Sequence, residues 1–197
     1  MQSPDSQFKD PAPAPSDEAL LQGVLAGDPQ AAQLLFERYQ PRLVEKGCAY
    51  LPSRDLAQDV AQEVFLKLLE SPPRELAGGS LRPWLLRVTR NLALDRARRG
   101  RHEIASGGGG DLEMSPYAPP GHEPDPLAAL MRSNDAERIR SLRAQLPQEL
   151  QRVLEGRFER GLSFQEIAQK EGIPLGTALW RVHHACKLLR QKWSAES

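Results

Sequence analysis

Cysteine is almost missing from this chain: Cys48 and Cys186 are the only two among 197 residues. Two thiols supply neither a disulfide framework nor a thiolate metal cluster. Long apolar runs are missing too. No stretch of about eighteen apolar residues is available to span a membrane, and the N-terminus lacks the apolar core of a signal peptide. A cytoplasmic protein is expected. Nothing alternates apolar and polar residues at a period of two, the mark of a half-buried strand. The expected fold class is therefore all-α. At this length the chain holds one domain of ordinary size or two small ones.

Net charge is absent as well, but the zero conceals blocks. Residues 1–80 hold 7 Lys and Arg against 12 Asp and Glu, and residues 82–101 hold 7 Arg against Asp95 alone. Residues 102–137 then hold Arg132 against 7 acids, and residues 138–192 hold 11 basic residues against 5 acidic ones. Two separate cationic surfaces, each suited to an anionic ligand, follow from this alternation.

Residues 1–16 are proline-rich and polar and read as a disordered tail. Helical periodicity begins at Asp17 with Leu20, Leu21, Val24 and Leu25, and Gly27 ends that helix. Asp28-Pro29 caps and starts a second helix carrying Ala32, Leu35, Phe36, Tyr39 and Leu43, with a kink expected at Pro41. A third helix is expected to start at Asp55 and to bury Leu56, Val60, Ala61, Val64, Phe65 and Leu68. Its other face shows Asp55, Asp59, Gln62, Glu63 and one exposed Leu66, which from the pattern alone reads as a solvated face.

Residues 71–80 form a Pro- and Gly-rich loop. The fourth helix, LRPWLLRVTRNLALDRARRGR, buries Leu81, Trp84, Leu85, Val88 and Leu92 and spreads arginines around the remainder. Arginine favours phosphate and stacks on bases, so seven in twenty residues point to a nucleic-acid surface. Asp95 falls on the apolar side and calls for an intramolecular arginine partner. Residues 102–124, with a four-glycine run, read as a flexible acidic linker. Helices resume near Asp125. Pro147 opens QELQRVLEGRFER, whose Leu150, Val153, Leu154 and Phe158 should pack against the C-terminal helices.

Those C-terminal helices, residues 161–190, read as a pair joined by a tight turn. Ser163 and Glu166 form a capping box. Ile167 and Ala168 face inward, Gly172 supplies the turn and Pro174 restarts the chain. Ala178, Val182, Ala185 and Leu189 make one apolar stripe, while Trp180, His184 and Lys187, flanked by Thr177 and Arg181, face away. This is the helix-turn-helix arrangement for placing side chains in a major groove; an ordinary helical hairpin with a basic face is the plainer alternative.

Taken together, DLAQDVAQEVFLKLL, WLLRVTRNLALDRARR and LPQELQRVLEGRFERGLSFQEIAQKEGIPLGTALWRVHHACKLLR, in this order, resemble the extracytoplasmic-function sigma factors of bacterial RNA polymerase. GDPQAAQLLFERYQPRL is similar to the family's first helical stretch. The resemblance runs from Asp17 to Trp193 apart from the linker. It implies a region 2 domain over residues 17–101 and a region 4 domain over residues 125–193. It also implies docking on the polymerase clamp helices through Asp55, Asp59, Gln62 and Leu66. Capture of unstacked minus-10 bases of the non-template strand falls by the same resemblance to Arg82, Arg87, Arg90, Asn91 and Arg98, with residues 71–80 as the pocket rim. Minus-35 duplex reading falls to Thr177, Trp180, Arg181, His184 and Lys187. The implied partners are core RNA polymerase, promoter DNA as duplex and single strand, and an anti-sigma factor. No cofactor is implied.

Four positions depart from the family's habit. It commonly has a basic residue at Leu179, a small one at Trp180, an arginine at His184 and an apolar residue at Glu171. Trp180 can pack on a thymine methyl or a sugar but does not read guanine as arginine would.

Two other functions compete. A free-standing helix-turn-helix regulator would bind promoter duplex without polymerase. An enzyme would need a catalytic group, and the cluster His183, His184 and Cys186 invites one. It lacks further thiols and an acid for outer-sphere support, and paired carboxylates for two-metal chemistry are absent. Neither metal site nor enzyme is expected.

Overall fold

The computed structural model describes residues 14–105 and 136–195. Among these residues it contains eight α-helices and no strand. Helices α1 (Asp17–Ala26), α2 (Pro29–Cys48), α3 (Arg54–Glu70) and α4 (Arg82–Ala105) make the first unit. Helices α5 (Ala136–Ala144), α6 (Gln148–Leu154), α7 (Phe164–Glu171) and α8 (Leu175–Ala195) make the second. The sequence-expected tail before residue 14 and most of the linker lie outside the described residues. Helix α4 runs on to Ala105, into the stretch that composition assigns to the linker.

The helix boundaries have local causes. The Ser16 hydroxyl accepts the Ala19 N–H at 3.1 Å to cap α1. Gly27 closes α1 in the left-handed region at φ 101°, a conformation that a Cβ resists. Asp28 then accepts the Gln30 N–H at 2.8 Å, with Pro29 at the first position of α2. At α3 the expectation needs correction. Ser53, not Asp55, is the cap: it is extended (φ −134°, ψ 153°) and its hydroxyl accepts the Leu56 N–H at 3.2 Å. Asp55 sits inside the first turn, where its charge complements the helix dipole.

Asp17 ties the first unit together. Its carboxylate accepts hydrogen bonds from the Tyr39 phenol, from Arg38 at 2.8 Å, from Ser80 at 3.2 Å and from the Leu81 backbone N–H at 2.8 Å. Burial alone would push this carboxyl up, but those four donors outweigh it and hold the pKa below the usual value. The phenol of Tyr39 is pushed up by burial and by its acidic neighbour.

Helix α3 lies centrally, packed against α2, α4 and α8. Phe36 of α2 meets Phe65 of α3 edge-on, with centroids 5.1 Å apart. At the far end of α2, a Cβ on Gly47 would stand 3.0 Å from the Ala57 Cβ, so the two backbones approach there closely. In the second unit α8 packs on α6 and α7 and is gripped near its end by α5. The Arg138 guanidinium lies 4.0 Å from the Trp193 ring centre, and Lys192 donates to Gln145 at 2.9 Å. A π-helical turn, Glu155–Glu159, joins α6 to the chain entering α7. The buried apolar side chains of both units form one continuous cluster, because α8 also packs on α2 and α3.

Candidate nucleic-acid and polymerase interfaces

The arginine-rich helix is as open as the sequence predicts. Arg82, Arg87, Arg90, Asn91 and Arg98 are all exposed, while Leu81, Leu85 and Ala93 are buried. At about 100° per residue, Arg87, Arg90, Asn91 and Arg98 fall within an arc of about 100° and present one cationic face. Arg82 stands apart, about 140° around the helix from Arg87. It lines an open cleft between α2 and α4 with Arg42, Lys46 and Glu45. Asp95 does find an arginine: Arg98 lies 3.6 Å away, three residues on, with both side chains well exposed. Thr89, buried beneath this face, donates its hydroxyl to the Leu85 carbonyl at 2.8 Å.

On α3, Asp55 and Asp59 are exposed and Gln62 is half-buried. Burial pushes the Asp59 carboxyl up, Arg96 at 4.0 Å pulls it down, and Asp55 raises it again; the result lies above the ordinary value. Leu66 is the correction here. Periodicity places it outside, yet it is only 9% exposed, and Glu63 is 5% exposed. A helix with three packed neighbours has little outer face left, and α3 has α2, α4 and α8 around it.

The helix-turn-helix forms as its sequence dictates. Ser163 accepts the Glu166 N–H at 3.2 Å, and the Glu166 carboxylate accepts the Ser163 N–H at 2.7 Å. The Ser163 N–H and, at 2.8 Å, the Ser163 hydroxyl both donate to that carboxylate and lower the Glu166 pKa. Gly172 closes α7 at φ 63°. Ile167, Ala168, Ala178, Val182, Ala185 and Leu189 are buried. The departures from family habit are accommodated. Glu171 is nearly buried and accepts from Arg152 Nε at 2.6 Å, which replaces an apolar contact between α7 and α6 by an ion pair. Leu179 is fully buried, so an apolar residue suits that position.

The face expected to meet duplex is different. Thr177 and Trp180 are buried at 8% and 7% exposure, Arg181 and His184 are half-buried, and Lys187 alone of the five is exposed. The physical reason is that the N-terminal half of α8 is inserted against the first unit. The Trp180 indole N–H points to the Val24 carbonyl of α1 at 3.4 Å, and its ring stacks on His184 with centroids 4.6 Å apart. Gly176 lies so close to α2 that a Cβ there would stand 2.8 Å from the Phe36 Cβ and 3.1 Å from the Gln33 Cα. His183 faces α3. Burial lowers its pKa to about 4, opposed by Glu70 and aided by Arg190, Lys187 and His184. Burial, with Lys187, also lowers His184. Sequence reasoning passed over Gly176 and the Asp17 network entirely. The only sequence signal for Gly176 is a glycine where a helix would prefer alanine.

Among the described residues no group of three or more His, Cys, Asp or Glu is gathered to hold a metal ion, and no helix is long and apolar enough to cross a membrane. A helical bundle bearing an exposed arginine face, followed by a capped helix-turn-helix, is the architecture of a two-domain promoter-recognition subunit. The family profiles agree: Sigma-70 region 2 matches residues 35–103 and Sigma-70 region 4 matches residues 144–191, together more than half of the chain. The chain belongs to the extracytoplasmic-function sigma factors of the sigma-70 superfamily. It is a transcription initiation factor that directs RNA polymerase to promoters, and not an enzyme.

Relatives extend across nearly the whole sequence. The RNA polymerase sigma-H factor of Pseudomonas aeruginosa is 28% identical over 86% of this chain and 89% of its own length. The sigma factor SigL of Mycobacterium tuberculosis is 29% identical over 87% of this chain and 94% of its own. The sigma-E factor of Haemophilus influenzae is 28% identical over 90% and 95%. Among solved structures, an RsbN–BldN complex aligns 87% of this chain with 98% of the matched chain at 18% identity, with a TM-score of 0.35.

Proposed function

We propose that the two cationic surfaces divide promoter recognition between them. The observation that carries this reading is the single exposed face of Arg87, Arg90, Asn91 and Arg98 on α4, in a chain that also holds a fully capped helix-turn-helix. The α4 face holds the opened non-template strand of the minus-10 element by phosphate contact and by stacking on guanidinium planes. Arg82 contacts the same strand from the α2–α4 cleft. Helix α8 reads the minus-35 duplex through Thr177, Trp180, Arg181, His184 and Lys187. Asp55, Asp59 and Gln62 dock on the polymerase clamp, and Leu66 supports them from beneath the surface. The protein acts in the cytoplasm and is held in check by an anti-sigma factor that engages both units.

Run-off transcription tests this directly. Purified protein is mixed with bacterial core RNA polymerase and a library of promoter fragments, and binding of the same fragments without polymerase is recorded alongside. Transcripts that require the protein establish the division of labour and yield the promoter. Tight duplex binding by the protein alone, with no transcript, would return the helix-turn-helix to an ordinary regulator.

A further inference from the structure

Arg82 is the odd member of the arginine set. It opens α4, away from the face that the other arginines share, in the cleft where Arg42 and Lys46 outnumber Glu45. The first N–H groups of a helix have no partner within it, so a helix end frays unless something outside holds it. This end is short of support. Pro83 has no N–H to give. Ahead of the helix, Gly78 and Gly79 take φ of 62° and 70°, and a Cβ on either would meet nothing within 4 Å. Leu81 is fully buried, so its N–H must find an acceptor inside the protein.

Asp17 supplies that acceptor, and its two oxygens divide the work. Oδ1 accepts Arg38 at 2.8 Å and fixes α1 to α2. Oδ2 accepts the Tyr39 phenol, the Leu81 N–H at 2.8 Å and the Ser80 hydroxyl at 3.2 Å. The Ser80 oxygen in turn accepts the Arg82 N–H at 3.2 Å. The N–H groups of Leu81 and Arg82 therefore both lead to one oxygen, the second through a hydroxyl relay. Because the acceptor is charged and only 7% exposed, these bonds are stronger than their neutral counterparts.

We propose that Asp17, acting through Ser80 and Leu81, is a positioning residue for strand capture. It aims Arg82 into the α2–α4 cleft, where the guanidinium takes a phosphate of the opened strand beside Arg42 and Lys46. The inference rests on the promoter-recognition reading and deepens it. It makes α1, a helix with no basic residue of its own, part of the apparatus that holds the strand.

The test uses the full-length protein with core RNA polymerase and a pre-opened promoter fragment, with binding measured across a range of salt. Each phosphate contact to a single strand adds about 0.7 to the slope of log affinity against log salt. Mere loss of stability lowers the active fraction and leaves the slope alone. Arg82→Ala should lower the slope by about 0.7. Asp17→Asn should lower it by as much. Ser80→Ala breaks only the relay to Arg82 and should lower it likewise, which keeps the test open should Asp17→Asn fail to fold. The double variant Asp17→Asn with Arg82→Ala should fall no further than Arg82→Ala, because both act on one contact. Arg38→Met, which leaves the three bonds on Oδ2 in place, should keep the full slope.

An unchanged slope in Ser80→Ala or in folded Asp17→Asn would overturn the proposal. So would a double variant that loses about 1.4, since Asp17 and Arg82 would then act separately. A drop in Arg38→Met equal to the others would reduce Asp17 to a structural tie. An unchanged slope in Arg82→Ala would instead refute the strand contact that the promoter-recognition reading assigns to Arg82, and the proposal would fall with it.

Discussion

The carboxylate of Asp17 accepts the backbone N–H of Leu81 at 2.8 Å, joining the first turn of α1 to the start of the arginine helix 64 residues later. Tyr39 and Arg38 complete the site from α2. Three elements thus share one buried acid, and the N-terminus of α4 is positioned by it.

Asp17→Ala is expected to cost about 2–4 kcal/mol, since it strands a buried amide, a phenol and a guanidinium together. The folded pKa lies below the unfolded value of 3.8. The stabilisation is therefore complete above that value and lost as pH falls from it through the folded pKa. Urea titrations at pH 7 and pH 3 check both claims: the gap between the two proteins should shrink at the lower pH.

His183 acts in a higher window. Its folded pKa of about 4 lies below the unfolded 6.5, so between those values the unfolded chain binds the extra proton and stability rises with pH. The contribution is whole above pH 6.5 and up to about 3 kcal/mol is lost on descending to pH 4. Glu70, Lys187, Arg190 and His184 are the charged or titratable groups acting on it. An NMR titration should find the imidazole still neutral at pH 5. His183→Gln should flatten the stability profile between pH 4 and 6.5.

The Arg152–Glu171 pair predicts an asymmetry. Glu171→Met removes both the buried charge and its need for a partner, and should change stability by less than about 1 kcal/mol. Arg152→Met leaves the carboxylate nearly buried and unpaired, and should cost more, about 2 kcal/mol. Thermal denaturation of both variants checks the order, and the reverse order would contradict the geometry.

On the exposed face of α4, Arg90→Ala and Arg98→Ala should each leave stability within about 0.5 kcal/mol. Each should weaken open-complex formation in run-off transcription. If both contact single-strand phosphates, the double variant lowers the slope of log binding against log salt by about 1.4. An unchanged slope would mean that these arginines do not touch the backbone.

Local chemistry made much of this fold legible. Ser163 with Glu166, Asp28 with Pro29, Gly172 and the stripe from Ala178 to Leu189 act within one or two helical turns, where sequence spacing is spatial spacing. The exposed arginines of α4 were legible for the same reason. Leu66, Thr177 and Trp180 were not. Periodicity assigns residues to a face, but which neighbour covers that face depends on how the units dock. Asp17 was hidden for a related cause, since its partners lie between 21 and 64 residues away. The shift of the α3 cap from Asp55 to Ser53 is the ordinary ambiguity of a Ser and an Asp two residues apart, either of which can cap.

Helix α8, with 21 residues, is a rod about 30 Å long. One end is held by the α1–α2 corner through Trp180, and the other by α5 through Arg138 against Trp193. Helix α5 is where the described chain resumes after residue 135. Seated at both ends, the rod acts as a lever: a tilt that lifts Trp180 from the corner also strains the Arg138–Trp193 contact 13 residues away.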